Sequence, residues 1–249
     1  MARKRYLSSI LPVLAVALTG AIYVSCQSVQ PVSLTLRFHP FVGDQALLLN
    51  QVRYPNPGGE GSFKVRDFQF FVSNVRLVGN SEEFLEPESY HLARFDSEDG
   101  TYVIVIDSVP QADYGRVEFG IGVDSAANAS LASVGDLDPN GRMAWNWEVG
   151  YKFVLVEGGL MLGDTQYPLV YHIGFDENYK VASFTLGDSL FDHQDPSVDF
   201  RVDLLQMFDG TETVDMAALP NVKFDRTDAG MLAGNYAGMV SKCTPPCTR

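Results

Sequence analysis

Histidine, tryptophan and cysteine carry the most distinctive chemistry in this chain, and there are few of each: four His, two Trp and three Cys. His39 stands in RFHPFVG, His91 in SYHLARF and His172 in VYHIGF, all apolar, strand-like surroundings. Neutral imidazole binds copper, zinc, nickel or iron, and residue type alone does not choose among them. A lone histidine is more often an ordinary core or surface residue, but strands distant in sequence can bring several together. The fourth, His193 in FDHQDP, reads as a loop residue. Trp145 and Trp147 in RMAWNWEVGYKF are two apart, which puts both on one face of a strand. Their commonest use is as aromatic anchors of a core.

Other motifs point to little chemistry. DLDPNG, residues 136–141, opens like a calcium-binding loop. Such a loop needs a bidentate Glu at its twelfth position, where this chain has Trp147, with Glu148 one residue late. The segment reads as a tight turn. There is no G-x-S-x-G elbow, no phosphate-binding loop, no dinucleotide fingerprint and no H-E-x-x-H. Acidic residues are plentiful enough for a hydrolytic carboxylate pair, but spacing in sequence does not locate one. The expectation is a protein that is not an enzyme.

The elements that must position these residues read as strands. In SLTLRF, Leu34, Leu36 and Phe38 share one face. His39 would then point outward if the strand continued; Pro40 predicts that it stops, leaving His39 to turn. Further strands are expected over 68–78, 102–106, 116–123, 151–156, 167–173, 181–186 and 198–205. YPNPGGEG, VPQADYG, DLDPNG and EGGLMLGD separate them as turn-rich segments. The pattern predicts an all-β fold, an antiparallel two-sheet β-sandwich with little helix. One short helix is expected over Asp228–Val240, with Asp228 as its N-cap. No domain boundary interrupts the chain, so residues 27–249 read as one domain.

The chain has 249 residues and a formal net charge of -13. Apart from Arg3-Lys4-Arg5 it has no basic cluster, which argues against nucleic acid as a partner. Residues 1–26 read as an export signal: that basic start, an apolar run from Ile10 to Val24, then Cys26. Val24-Ser25-Cys26 resembles a bacterial lipoprotein signal, which would lipidate Cys26 and hold the protein at a membrane. Tyr23 replaces the usual Leu, so plain cleavage stays open. Either way the expected location is the periplasm or the outer membrane. In that oxidising compartment Cys243 and Cys247 (KCTPPCTR) are expected to form a small disulfide loop; a metal reading of C-x3-C is weaker, because no His or further Cys follows it.

Taken together, FHPFVGDQALLLNQVRY, VRDFQFFVSNVRLV, SYHLARFD, DYGRVEFGIGVD, GDLDPNGRMAWNWEVGYKFVLVEG and YPLVYHIGF resemble the MbnP-like family of periplasmic copper-binding proteins. The likeness runs from about Leu34 to Val240. It implies an exported two-sheet β protein whose copper site contains histidines and a kynurenine. That kynurenine is made from a Trp by a partner dihaem enzyme related to MauG and the cytochrome c peroxidases. An opened indole offers an aniline nitrogen to a metal, and neutral donors suit Cu(I). On the resemblance, His39, His91 and His172 are the expected copper ligands. Trp147 or Trp145 is the kynurenine precursor, with Trp147, nearer GYKF, favoured. The chain departs from the family pattern in three ways: Phe175 stands where many members have Gly, Ala144 stands where an aromatic is common, and the C-terminal pair Cys243 and Cys247 is not a feature of the whole family. The competing expectation is a surface adhesion or carbohydrate-binding lipoprotein that uses the sandwich as a scaffold.

Overall fold

The computed structural model describes residues 30–96, 100–130, 134–146, 148–187, 190–192 and 195–247. The expected signal with Cys26, as well as Trp147 and His193, lies outside the described residues. The first half holds β1 (Val32–Val42), β2 (Gln45–Ala46), β3 (Tyr54–Pro55), β4 (Ser62–Gly79), β5 (Glu83–Leu85), β6 (Tyr90–Arg94), β7 (Tyr102–Val109) and β8 (Tyr114–Ile121). A single helical turn, α1 (Ser125–Asn128), follows. Then come β9 (Ala144–Asn146), β10 (Gly150–Leu162), β11 (Thr165–Gly174), β12 (Lys180–Thr185), β13 (Ser197–Asp203), β14 (Asn221–Val222), helix α2 (Arg226–Tyr236) and β15 (Val240–Cys243).

The fold is an all-β sandwich of two sheets. The smaller sheet runs β15-β13-β1-β2, with β7 also paired to β1. The larger runs β12-β8-β4-β10-β11-β14, with β3, β5 and β6 on β4 and β9 on β10. Aromatic side chains join them: Phe38 of the smaller sheet stacks on Phe200 at 5.1 Å and meets the edge of Phe119 of the larger at 5.6 Å. The outer face of the larger sheet is covered as well. Phe71, Phe153 and Leu155 are buried there against Leu92, Leu137 and Met143. Burial on both faces explains why FQFFVSNV and YKFVLV are nearly continuous apolar runs rather than alternating ones.

The structure corrects four expectations. The sheets are mixed, not purely antiparallel: β1 pairs in parallel with β13, and β11 with β14. Alternation reports which face is buried, not which way the neighbour runs; here the first strand meets one more than 150 residues later, Thr35 facing Ser197. Second, β1 does not stop at Pro40. Thr35 N–H donates to Pro196 O on the β13 side. By alternation the nitrogen of residue 40 faces the opposite edge, where pairing to β7 ends at Phe38–Tyr102 and the β2 hairpin takes over, Pro40 O accepting from Leu47 N–H at 3.0 Å. The proline thus forgoes only the return N–H bond of that one pair, at the end of the strand where such a loss is tolerated. Third, Glu157-Gly158-Gly159 lies inside β10, and the chain turns only at Gly163-Asp164. A Cβ on Gly158 would sit 2.0 Å from Lys64 O, so that glycine permits close strand approach at a bulge. Fourth, α2 starts earlier than expected. Asp225 is its N-cap and accepts from Asp228 N–H, and Val240 already belongs to the next strand.

Candidate metal centre

His172 projects from the outer face of the larger sheet. Its neighbours Tyr171 and Ile173 point into the sandwich core, so alternation turns His172 outward. Across the ladder it faces Leu155, two residues from Glu157 on the same face. The His172 Nε2 lies 2.8 Å from Glu157 Oε1. The other carboxylate oxygen, Oε2, accepts from Arg142 Nη2 at 2.6 Å and from Arg66. Burial alone would raise the acid's pKa, but the bonds from His172, Arg66 and Arg142 outweigh it and hold it at about 2. An ionised carboxylate only accepts, so Nε2 must carry the proton that bridges them. The lone pair of the neutral ring is then on Nδ1. Burial, first, and the nearby Lys152 and Lys223 push the His172 pKa down, while Glu157 pushes it up; the balance is lowered. His172 is thus a neutral imidazole in a fixed tautomer, the state in which histidine binds metals.

Trp145 sits beside it. Its ring covers Gly174, two residues beyond His172 on the same face and so roughly 7 Å along the strand. A Cβ at Gly174 would lie 2.7 Å from Trp145 Cζ3, so only glycine admits the indole there. Phe175 and Phe224 flank the indole at 5.3 and 5.2 Å. Lys152 Nζ lies 5.9 Å from the ring centroid and donates to the carbonyls of Arg142 and Ala144, at 2.6 and 3.2 Å. Phe175, the departure from the family glycine, has φ of 71°. A bulky residue there stores on the order of 1–3 kcal/mol of strain. Its ring is held between Trp145 and the Arg226 guanidinium, 4.1 Å above it.

The other two histidines repeat the imidazole–carboxylate pairing elsewhere. His39, kept on the outer face of the smaller sheet by the unbroken β1, has Nε2 2.7 Å from Asp199 Oδ1 and Nδ1 3.2 Å from Thr101 Oγ1. His91 on β6 has Nε2 2.8 Å from Glu86 Oε2, which also accepts from Ser89 Oγ at 2.5 Å. His91 follows the inward parity of Ala93 and is separated from His172 by β10 and β4, about 14 Å across the sheet. The structure therefore does not gather His39, His91 and His172 around one point. Among the described residues, the group of potential ligand atoms that does converge is His39, Asp199 and Cys247, all within 4.8 Å of one another.

Sequence reasoning missed Glu157, Lys152, Asp199 and Glu86. Glu157 did leave a signal: it is the charged residue that ends the apolar run FVLV. The reading of DLDPNG as a turn holds. Asp138 accepts from Asn140 N–H at 2.9 Å, and Asp136 binds Leu92 N–H at 2.7 Å. The expected disulfide between Cys243 and Cys247 is present.

A family model, MbnP, matches residues 31–224. The chain belongs to the MbnP family. Among solved structures it is similar to MbnP from Methylosinus trichosporium, at 16% identity, with a TM-score of 0.55 over 80% of this chain and 82% of that one. At that identity the likeness speaks for the fold. No curated protein shows a significant sequence match. Membership of the family is consistent with a copper-related role. No helix among the described residues is long and apolar enough to cross a membrane.

Proposed function

We propose that this protein is an exported copper-binding MbnP, serving copper acquisition or storage, with its copper locus around His172 and the segment that carries Trp145 and Trp147. The observation that carries the reading is the His172–Glu157 pair beside Trp145, in a chain the MbnP model covers from 31 to 224. Carboxylate-held imidazole with the other ring nitrogen turned away is a recurrent metal-ligand arrangement. Lys152, Arg66 and Arg142 surround the locus with positive charge. That field disfavours a divalent ion more than a monovalent one, which fits Cu(I). In this reading His172 offers Nδ1, Glu157 fixes the ring, and the buried Phe175 supplies an apolar wall.

The second donor is a kynurenine from Trp145 or Trp147. Two oxygen atoms, delivered by the dihaem partner from peroxide or dioxygen, cleave the indole C2–C3 bond. Water then releases C2 as formate and leaves a ketone and an aniline. The protein itself catalyses nothing. His39 and His91 belong to this site only if the metal draws distant strands together. The test is copper stoichiometry on His172→Ala, His39→Ala and His91→Ala, each co-expressed with the dihaem partner. Loss of copper in His172→Ala alone supports this locus. Full copper retention in His172→Ala contradicts it.

A second reading, an adhesion or carbohydrate-binding lipoprotein, is favoured by one observation: Phe224 is 61% exposed and lies against Trp145 as a stacking surface. Glycan binding that survives His172→Ala and His39→Ala would favour it.

A further inference from the structure

The converging His39–Asp199–Cys247 group lies on the smaller sheet, apart from the copper locus. Asp199 on β13 is directly opposite Cys243 on β15, and Cys243 is bonded to Cys247. Three donors therefore converge, one imidazole nitrogen, one carboxylate oxygen and one sulfur, and Cys243 is the fourth candidate through its bond to Cys247. His39, Asp199 and Cys247 offer atoms within 4.8 Å of one another. Ligand atoms of a tetrahedral zinc ion, with bonds of about 2.0–2.3 Å, are separated by somewhat less, so a small contraction suffices. While the disulfide stands, its sulfurs are poor ligands, because the thiolate is what binds metal.

We propose that reduction of Cys243–Cys247 opens a second metal site, His39–Asp199–Cys243–Cys247, for a thiophilic divalent cation such as zinc(II). The frame around the site is independent of the disulfide. β15 is held by its ladder to β13, from Val202–Val240 to Asp199–Cys243. Cys247 is buried, its N–H donates to Thr244 O at 2.9 Å, and its carbonyl accepts from Arg201 Nη1 at 3.3 Å. The backbones of both cysteines thus stay in place when the bond opens, and the two sulfurs move apart to the spacing of ligands on one metal. Cys243 is half-buried and is the sulfur a reductant reaches. His39, together with Thr101, also lines a cavity of ≈430 Å³.

The steps balance. A dithiol reductant attacks Cys243 Sγ, the S–S bond breaks, and Cys247 leaves as a thiolate. The second thiol of the reductant releases Cys243 and becomes the oxidised partner. Two electrons pass to the protein, which gains two thiols. Zinc(II) then displaces the two thiol protons. His39 turns its lone pair to Nε2 by moving its proton to Nδ1, where Thr101 Oγ1 at 3.2 Å can accept it. Asp199 Oδ1 exchanges its bond to His39 for one to the metal. Two thiolates and one carboxylate exceed the dication by one negative charge, and Arg37, 3.9 Å from Asp199 Oδ2, offsets it.

The experiment uses the full mature chain, oxidised and phosphine-reduced, titrated with zinc(II) against a chromophoric chelator. Cobalt(II) serves as the spectroscopic probe of thiolate ligation. The expected result is one additional zinc per chain after reduction, with a thiolate-to-cobalt charge-transfer band. Cys247→Ser should abolish it, and His39→Gln should weaken it by about tenfold or more. His172→Gln should leave it unchanged, which separates this site from the copper locus. If Cys247→Ser does not fold, the comparison of oxidised and reduced parent carries the test, since the sequence is the same. Equal zinc binding before and after reduction overturns the proposal. So does a reduced protein with two titratable thiols and no added zinc.

Discussion

The outer faces of the two sheets carry the same device in different settings. On each, a histidine Nε2 is held by a carboxylate, at 2.8 Å in His172–Glu157 and 2.7 Å in His39–Asp199. Glu157 is saturated by two arginines, whereas Asp199 has Arg37 at 3.9 Å. The first carboxylate is therefore locked as an orienting group, and only its histidine can turn to a metal. The second can itself become a ligand. In the two proposals donor charge sorts the metals in the same way: neutral nitrogen donors in a cationic setting would suit Cu(I), anionic oxygen and sulfur a dication. A histidine–carboxylate pair alone does not identify a metal site; what else occupies the carboxylate does.

The largest expected effect separates the two carboxylates by stability. Glu157→Gln leaves Arg66 and Arg142 without their shared partner and is expected to cost about 2–3 kcal/mol, allowing for the arginines' exposure. Asp199→Asn can still hydrogen-bond His39 and is expected to cost about 1 kcal/mol. Urea unfolding at pH 7 measures both, and equal losses would erase the distinction.

Acid unfolding sharpens it. The Glu157 pKa falls from 4.5 unfolded to about 2 folded. Its stabilisation is thus full above about pH 5 and is lost as pH falls toward 2. On the order of 2 kcal/mol should disappear over that window in the parent and not in Glu157→Gln. Parallel acid curves would contradict the assignment.

Gly174→Ala places a methyl against Trp145 and should displace the indole, at a cost of about 1–3 kcal/mol with altered tryptophan emission. Unchanged emission would mean that the indole does not lie over Gly174. The smallest effect is expected at Phe175. Phe175→Gly loses a buried ring but relieves the strained φ. The net cost should be about 1–2 kcal/mol, below the ~3–5 usual for a buried Phe truncation.

Much of this fold was legible. Period-two alternation located β1, and apolar runs located the middle of β4 and β10, because burial writes itself into residue type. Strand direction was not, since β1 and β13 look the same whether they run parallel or antiparallel. The fate of Pro40 depended on which edge of β1 its nitrogen faced, a fact about the neighbour. The histidines were legible as residues of interest, and the family was legible from its blocks. Their grouping was not: His91 and His172 lie on opposite faces of one sheet, and His39 lies on the other sheet. The carboxylates that hold each imidazole, Glu157, Asp199 and Glu86, arrive from strands or turns that no local pattern links to a histidine.

The central claim is that the tryptophan segment beside His172 is the copper locus. Peptide mass spectrometry with copper analysis, on protein made with and without a candidate dihaem partner, tests it most directly. The account predicts a gain of about 4 Da in the peptide holding Trp145 and Trp147, only with the partner, as one carbon is exchanged for one oxygen. It also predicts one copper per chain, lost in His172→Ala. An unmodified, copper-free protein despite a competent partner would contradict it.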